Sequence, residues 1–309
     1  MSATWRSNLA DAVLLDPLLL LHGNVKDVYT VDEATRSRLP ADLRDRPTVT
    51  FDIWLALEME RQGFDVVCLY DTDGIVVLRR SMLQPLRELM TGRPPSAVPG
   101  APSTPANAAA AATPTLADWL VPLEVQQAPA DFVRTLATTV LPRTDVRCAV
   151  ICRFVDRYLA YTDRQDPNDR VLSLLVQKAA MAIPAVGGGG RTASRLLLIF
   201  DIEGQIPQEL NTLFPSARSV FVNPPGLEER ADFFRQFAGM FDLGGEPPAD
   251  LAANASHCTL LAQLADGLRM QDLFSLATLS RQEHLGLSAA QFPLLLTRFK
   301  FGTRENAWA

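Results

Sequence analysis

The chain has 309 residues, 48% of them hydrophobic and 21% charged, enough to bury the core of an α/β domain and a small appendage. Its 35 acidic and 29 basic residues leave a net charge of −6, which opposes a general phosphate-backbone binder and makes nucleic acid an unfavoured partner. No apolar run has the length that crosses a bilayer, and residues 1–11 show no basic segment leading into an apolar stretch, so a cytoplasmic protein with no membrane partner is expected.

In chain order, residues 1–63 read as a helical extension. Residues 7–21 carry a dense apolar pattern broken at Pro17, and His22, Gly23 and Asn24 read as a stop. Residues 51–62 form a second helical pattern, with Phe51, Trp54 and Leu55 on one face and Gly63 ending it. The pattern then changes, and residues 64–245 read as an α/β core. Residues 64–70 (FDVVCLY) are a β-rich apolar run, the mark of a strand buried on both faces. Asp71, Thr72, Asp73 and Gly74 follow as a turn, residues 75–78 as an extended continuation, and residues 81–90 as a helix.

Residues 92–115 are rich in proline, alanine and small polar residues, a composition that buries too little apolar surface to offset its ordering entropy. A flexible insertion is expected there. After it, helices at 131–141, 169–183 and 207–214 alternate with strands at 147–155, 195–201 and 219–222. An amphipathic helix at 227–241 opens with Glu228 and Glu229, whose charges complement the helix dipole. Such alternation predicts a mostly parallel sheet covered on both faces. From residue 246 onward only helices are read, at 251–264, 270–284 and 288–299, which predicts a small helical domain and a closing linker over 246–309.

The chemistry-bearing residues are sparse. Cys68, Cys148, Cys152 and Cys258 form no CxxC pair, and His22, His257 and His284 give no zinc-ligand spacing, so free thiols and no metal site are expected. A phosphate loop of the form GxxxxGK[ST] needs glycines for the backbone wrap and a lysine for the outer phosphates. The three lysines, Lys26, Lys178 and Lys300, follow Val25, Gln177 and Phe299, so the motif is not spelled anywhere in the chain. The glycines at 187–190 lie between a helix and a strand, the reverse of the order a phosphate loop requires. Asp71 to Gly74 do follow a strand, but two carboxylates there would repel a triphosphate unless a metal intervened.

Residues 195–239 resemble the later half of an AAA+ ATPase core, with Pro225, Glu229 and Arg230 matching the helix after its last strand. Residues 265–276 (ADGLRMQDLFSL) are similar to that family's lid segment at Gly267, Asp272, Leu273 and Leu276. Residues 18–29 (LLLLHGNVKDVY), 65–74 and 299–308 (FKFGTRENAW) resemble the first module of large bacterial AAA-family ATPases, in which a module without a phosphate loop precedes a competent one.

The resemblance implies a five-stranded parallel sheet with helices on both faces, followed by a helical lid. It places Asp71, Asp73 and Gly74 where the phosphate loop would stand, Asp156 near Walker B and Asp201 near sensor 1. The function it implies is that of a non-hydrolysing structural and regulatory module, with no cofactor. Its partner would be an active AAA+ ATPase module, a second copy of itself, or another protein. Two alternatives are an ATP-binding module with Mg²⁺ held at a non-standard site by Asp71, Asp73 or Asp201, and a clamp-loader-like subunit acting on DNA. The linker-like ending raises the further expectation that the natural chain continues past Ala309.

Overall fold

The computed structural model describes residues 5–95, 115–159, 167–188, 192–243 and 253–302, in two units, Met1–Val222 and Asn223–Ala309. The expected insertion at 92–115, the end of the glycine run at 189–190 and the linker-like ending from 303 fall largely or wholly outside the described residues.

The first unit begins with α1 (Trp5–Leu15), which Asp16 and Pro17 end, and the chain passes directly into β1 (Leu18–Gly23). A short excursion follows, with β2 (Val28–Thr30), α2 (Glu33–Arg36) and β3 (Thr48–Thr50), before α3 (Phe51–Arg61). The remaining elements are β4 (Val66–Asp71), β5 (Gly74–Arg79), α4 (Leu83–Met90), β6 (Trp119–Leu123), α5 (Pro129–Thr135), β7 (Cys148–Cys152), α6 (Pro167–Met181), β8 (Arg195–Ile199), α7 (Gln208–Asn211) and β9 (Ala217–Val222).

Seven of these strands form one sheet in the order β6-β5-β4-β7-β8-β1-β9, while β2 and β3 pair separately. The five strands β4, β7, β8, β1 and β9 are mutually parallel, and β5 and β6 extend one side as antiparallel neighbours. The expected five-stranded parallel sheet is therefore present, with two further strands beside it. The first parallel strand of the chain lies between the last two. Such a reversal of strand order opens a crevice at the carboxyl ends of the strands, where α/β folds bind their ligands.

Residues 18–21 correct the helical reading of the N-terminal region. Leu18, Leu19, Leu20 and Leu21 are fully buried, paired with β8 on one side and β9 on the other. A strand covered on both faces has no alternation, so its four leucines merge with the helical pattern that precedes them. Residues 1–63 thus supply an inner strand of the sheet as well as helices. The turn expected at 71–74 and the extended run expected at 75–78 are both present and form the β4–β5 hairpin.

In the second unit, α8 (Leu227–Phe237) groups with α9 (Ala255–Leu264), α10 (Met270–Glu283) and α11 (Phe292–Phe301), so the helical part begins before residue 246. Arg230 fixes α8 there: it is 7% exposed and donates to the carbonyls of Pro225 and Ala262 and to the Asp266 carboxylate. Phe233 meets Phe274 edge-on at 4.8 Å, and Phe234 meets Phe292 at 5.5 Å, the offset geometry that aromatic quadrupoles favour. No helix among the described residues is long and apolar enough to cross a membrane.

The strand assignment of residues 18–21 is testable. Leu20→Ala leaves a cavity in the sheet and should cost about 2–5 kcal/mol in urea denaturation. Leu15→Ala, at the exposed end of α1, should stay within about 0.5 kcal/mol of wild type.

Candidate functional site

The crevice is assembled from the ends of the inner strands. Gly23 ends β1 at φ +102°, and a Cβ there would lie 2.7 Å from the carbonyl oxygen of Val222. Only glycine meets both demands. Asn24 then donates its backbone N–H to that same carbonyl at 2.8 Å. Asp27 is 2% exposed and accepts at 2.8 Å from the Asn24 side-chain amide and from the Val28 N–H. These bonds fix the loop that carries Lys26.

A phosphate loop would pass from this strand straight into a helix whose first N–H groups face the ligand. Here residues 24–50 separate β1 from α3, and they include the β2–β3 pair. When the chain reaches α3, its first turn already holds a carboxylate. Asp52 supplies it and accepts from the Thr50 hydroxyl at 2.5 Å.

The resulting cleft has a volume of about 430 Å³ and is lined by residues 25–27, Thr50, Asp52, Arg153, Phe154, Ile199 and Asp201. Its charged groups pair with one another. Lys26 Nζ lies 2.7 Å from Asp201 Oδ2; the lysine side chain is 60% exposed and the aspartate side chain 8%. Arg153 joins three elements, bonding Asp52 of α3 at 3.1 Å and Asp71 at the end of β4, while it follows β7 itself. Phe154 takes the left-handed conformation, φ 51°, at a cost of about 1–3 kcal/mol for a non-glycine residue. The Arg157 guanidinium stacks over its ring at 4.4 Å.

Of the residues singled out from the sequence, Asp71, Asp156 and Asp201 come together at this end of the sheet. Asp156 accepts from the Asp201 backbone N–H at 3.2 Å, which ties the segment after β7 to the end of β8. Asp73 and Gly74 do not join the cleft lining. They form the tight β4–β5 hairpin, with the Asp73 N–H donating to Asp71 Oδ1 at 2.9 Å and Gly74 at φ +145°. The cleft is reached instead by the loop after β1, which brings Lys26, a residue that carries no role in the sequence reading. The signal was available: Gly23 and Lys26 come two and five positions after Leu21, the last of four consecutive leucines.

Among the described residues no cluster of His, Cys, Asp or Glu could hold a metal ion. The four cysteines are buried thiols outside any disulfide among the described residues, and burial pushes the Cys68 thiol up to about 12.

His22, the last side chain of β1 before Gly23, is 3% exposed. Its Nε2 shares a hydrogen bond with Ser219 Oγ at 2.9 Å, while Nδ1 faces Glu203 Oε2 at 3.8 Å. Burial lowers its pKa below the ordinary 6.5, with Glu203 opposing the shift. Above 6.5 both folded and unfolded chains carry a neutral imidazole, so the stabilisation is fully present. As pH falls below that value, the unfolded chain binds the proton first and stability is lost down to the folded-state pKa. The urea midpoint should fall between about pH 7.5 and about pH 5, and His22→Gln should flatten that decline. An equal decline in the variant would assign it to other groups.

Residues 4–223 match the family described as AAA+ chaperone, N-terminal Rossmann-like domain. No curated protein matches the chain. Among solved structures it is similar to a chain of the E. coli MS115-1 HORMA:CdnC:Trip13 complex, at 10% identity and a TM-score of 0.45, over 95% of this chain and 77% of that one. It is also similar to the FIGL-1 AAA domain in complex with ADP, at 13% identity and a TM-score of 0.32, over 48% of this chain and 44% of that one. Because the family match spans the described part of the first unit and well over half of the sequence, the chain belongs to the AAA+ chaperone family and carries its N-terminal Rossmann-like domain.

Proposed function

We propose that this chain is a non-hydrolysing AAA+-like module with a structural and regulatory role, acting in the cytoplasm in assembly with an active AAA+ ATPase module or a further copy of itself. The observation that carries this reading is the state of the crevice. Each cation that lines it, Lys26 and Arg153, is already matched by a carboxylate of the chain, and the lining holds three carboxylates to two cations. A nucleotide phosphate entering there would have to displace Asp52 or Asp201 and would meet net negative charge. The excursion at 24–50 also removes the strand-to-helix loop whose N–H groups would wrap the phosphates.

A second reading draws on Lys26. Its side chain is largely exposed, so it could leave Asp201 for a phosphate and free that aspartate for Mg²⁺. This is the ATP-binding alternative, moved from the β4–β5 turn to the loop after β1. The DNA-associated alternative is opposed by the net charge of −6.

Phosphate release from ATP and Mg²⁺ separates the two main readings. The non-hydrolysing reading expects no release above buffer from the purified chain, and no change on Asp201→Asn. Turnover that Asp201→Asn abolishes would overturn it in favour of the second reading.

A further inference from the structure

One face of the β1–β9 pair brings together a hydroxyl, an imidazole and a carboxylate, none of which lines the crevice. His22 stands in register with Phe221, and Leu20 with Ser219, so the side chains of His22, Ser219 and Phe221 share a face of the sheet. Ser219 is exposed, and its Oγ lies 2.9 Å from Nε2 of the buried His22. On the other side of the ring, Nδ1 is buried with no hydrogen-bond partner among the described residues. Glu203 Oε2 lies 3.8 Å from it, on a side chain that is 67% exposed and free to close that gap.

The carboxylate decides the tautomer. A proton on Nδ1 faces Glu203, which leaves Nε2 as the acceptor and the Ser219 hydroxyl as the donor. Burial lowers the His22 pKa, so the ring is neutral near pH 7 and its Nε2 lone pair is available. A separation of 2.9 Å is within reach of proton transfer. Backbone donors stand beside the hydroxyl. Val222 accepts from Asn24 and so turns its peptide groups towards β1; by alternation the N–H groups of Ser219 and Phe221 point to the free edge, since β9 is the outer strand. Phe221, 51% exposed and edge-on to His22 at 5.5 Å, supplies an apolar wall.

We infer that Ser219 is a nucleophile for acyl transfer from carboxylic esters, with His22 as its general base and Glu203 as the positioning residue for the imidazole. Ser219 Oγ bonds to the ester carbonyl carbon while its proton passes to His22 Nε2. The carbonyl oxygen takes negative charge beside the edge N–H groups. The bond from that carbon to the alkoxy oxygen then breaks, and the alcohol leaves with the proton held by His22. Water attacks the acyl-serine by the same route, giving the carboxylic acid and returning the proton to Ser219. This chemistry is separate from nucleotide hydrolysis and uses none of the crevice residues.

The test uses the full chain with a fluorescent alkyl fluorophosphonate, from which Ser219 Oγ displaces fluoride to leave a stable adduct. Peptide mass spectrometry should place the label on Ser219, and Ser219→Ala, at an exposed position, should abolish it with the melting temperature unchanged. The labelling rate should rise with pH about a midpoint below 6.5, the ordinary imidazole value. His22→Gln should slow labelling by about 100-fold. Glu203→Gln, on an exposed side chain, should slow it less and move the midpoint lower still, because the glutamate raises the His22 pKa. p-Nitrophenyl acetate should be hydrolysed by the wild-type chain and not by Ser219→Ala. No label, a label elsewhere, or a rate and midpoint unmoved by Glu203→Gln would overturn the proposal, and so would labelling without ester hydrolysis.

Discussion

The crevice depends on the burial of β1. Four leucines with no exposed surface hold this strand between β8 and β9, and its end sets the position of everything that follows. Gly23 can turn only because it lacks a side chain, and that turn delivers Lys26 to the end of β8. If β1 were displaced, Asp201 would lose its cation and His22 would lose Ser219. One buried strand thus organises both the sheet and the charges at its rim.

Those charges act as internal counterions. Arg153 draws α3, β4 and the segment after β7 together through two carboxylates, and Lys26 closes the other side through a third. Partly buried pairs of this kind add little net stability over an apolar equivalent, but removing one partner leaves the other desolvated and unmatched. On the proposed reading an outside anion would have to compete with these carboxylates for each cation.

Much of the parallel sheet was legible in the sequence, because β4, β7, β8 and β9 are β-rich or apolar runs set off by turn residues. The strand β1 was not, since leucine has no strong β preference and the run abuts a genuine helix with only Asp16 and Pro17 between them. β6 escaped notice because Pro122 within it reads as a break, a residue tolerated on an outer strand. At the site, strand-end acids such as Asp71, Asp156 and Asp201 could be found by position. Arg153 could not, as its partners lie 82 and 101 residues away in sequence. Lys26 was hidden by the missing strand: a phosphate-loop search keyed to spelling passes over a lysine whose importance is its place in the topology.

The proposed reading holds that the cations lining the crevice stay with the chain's own carboxylates, so that it takes up no nucleotide. Titration of the purified chain with a fluorescent ATP analogue, with and without Mg²⁺, tests it most directly. The account predicts no saturable binding up to about millimolar nucleotide in either condition. Saturable, Mg²⁺-dependent binding at about micromolar concentrations would contradict it and make Lys26 the first residue to replace.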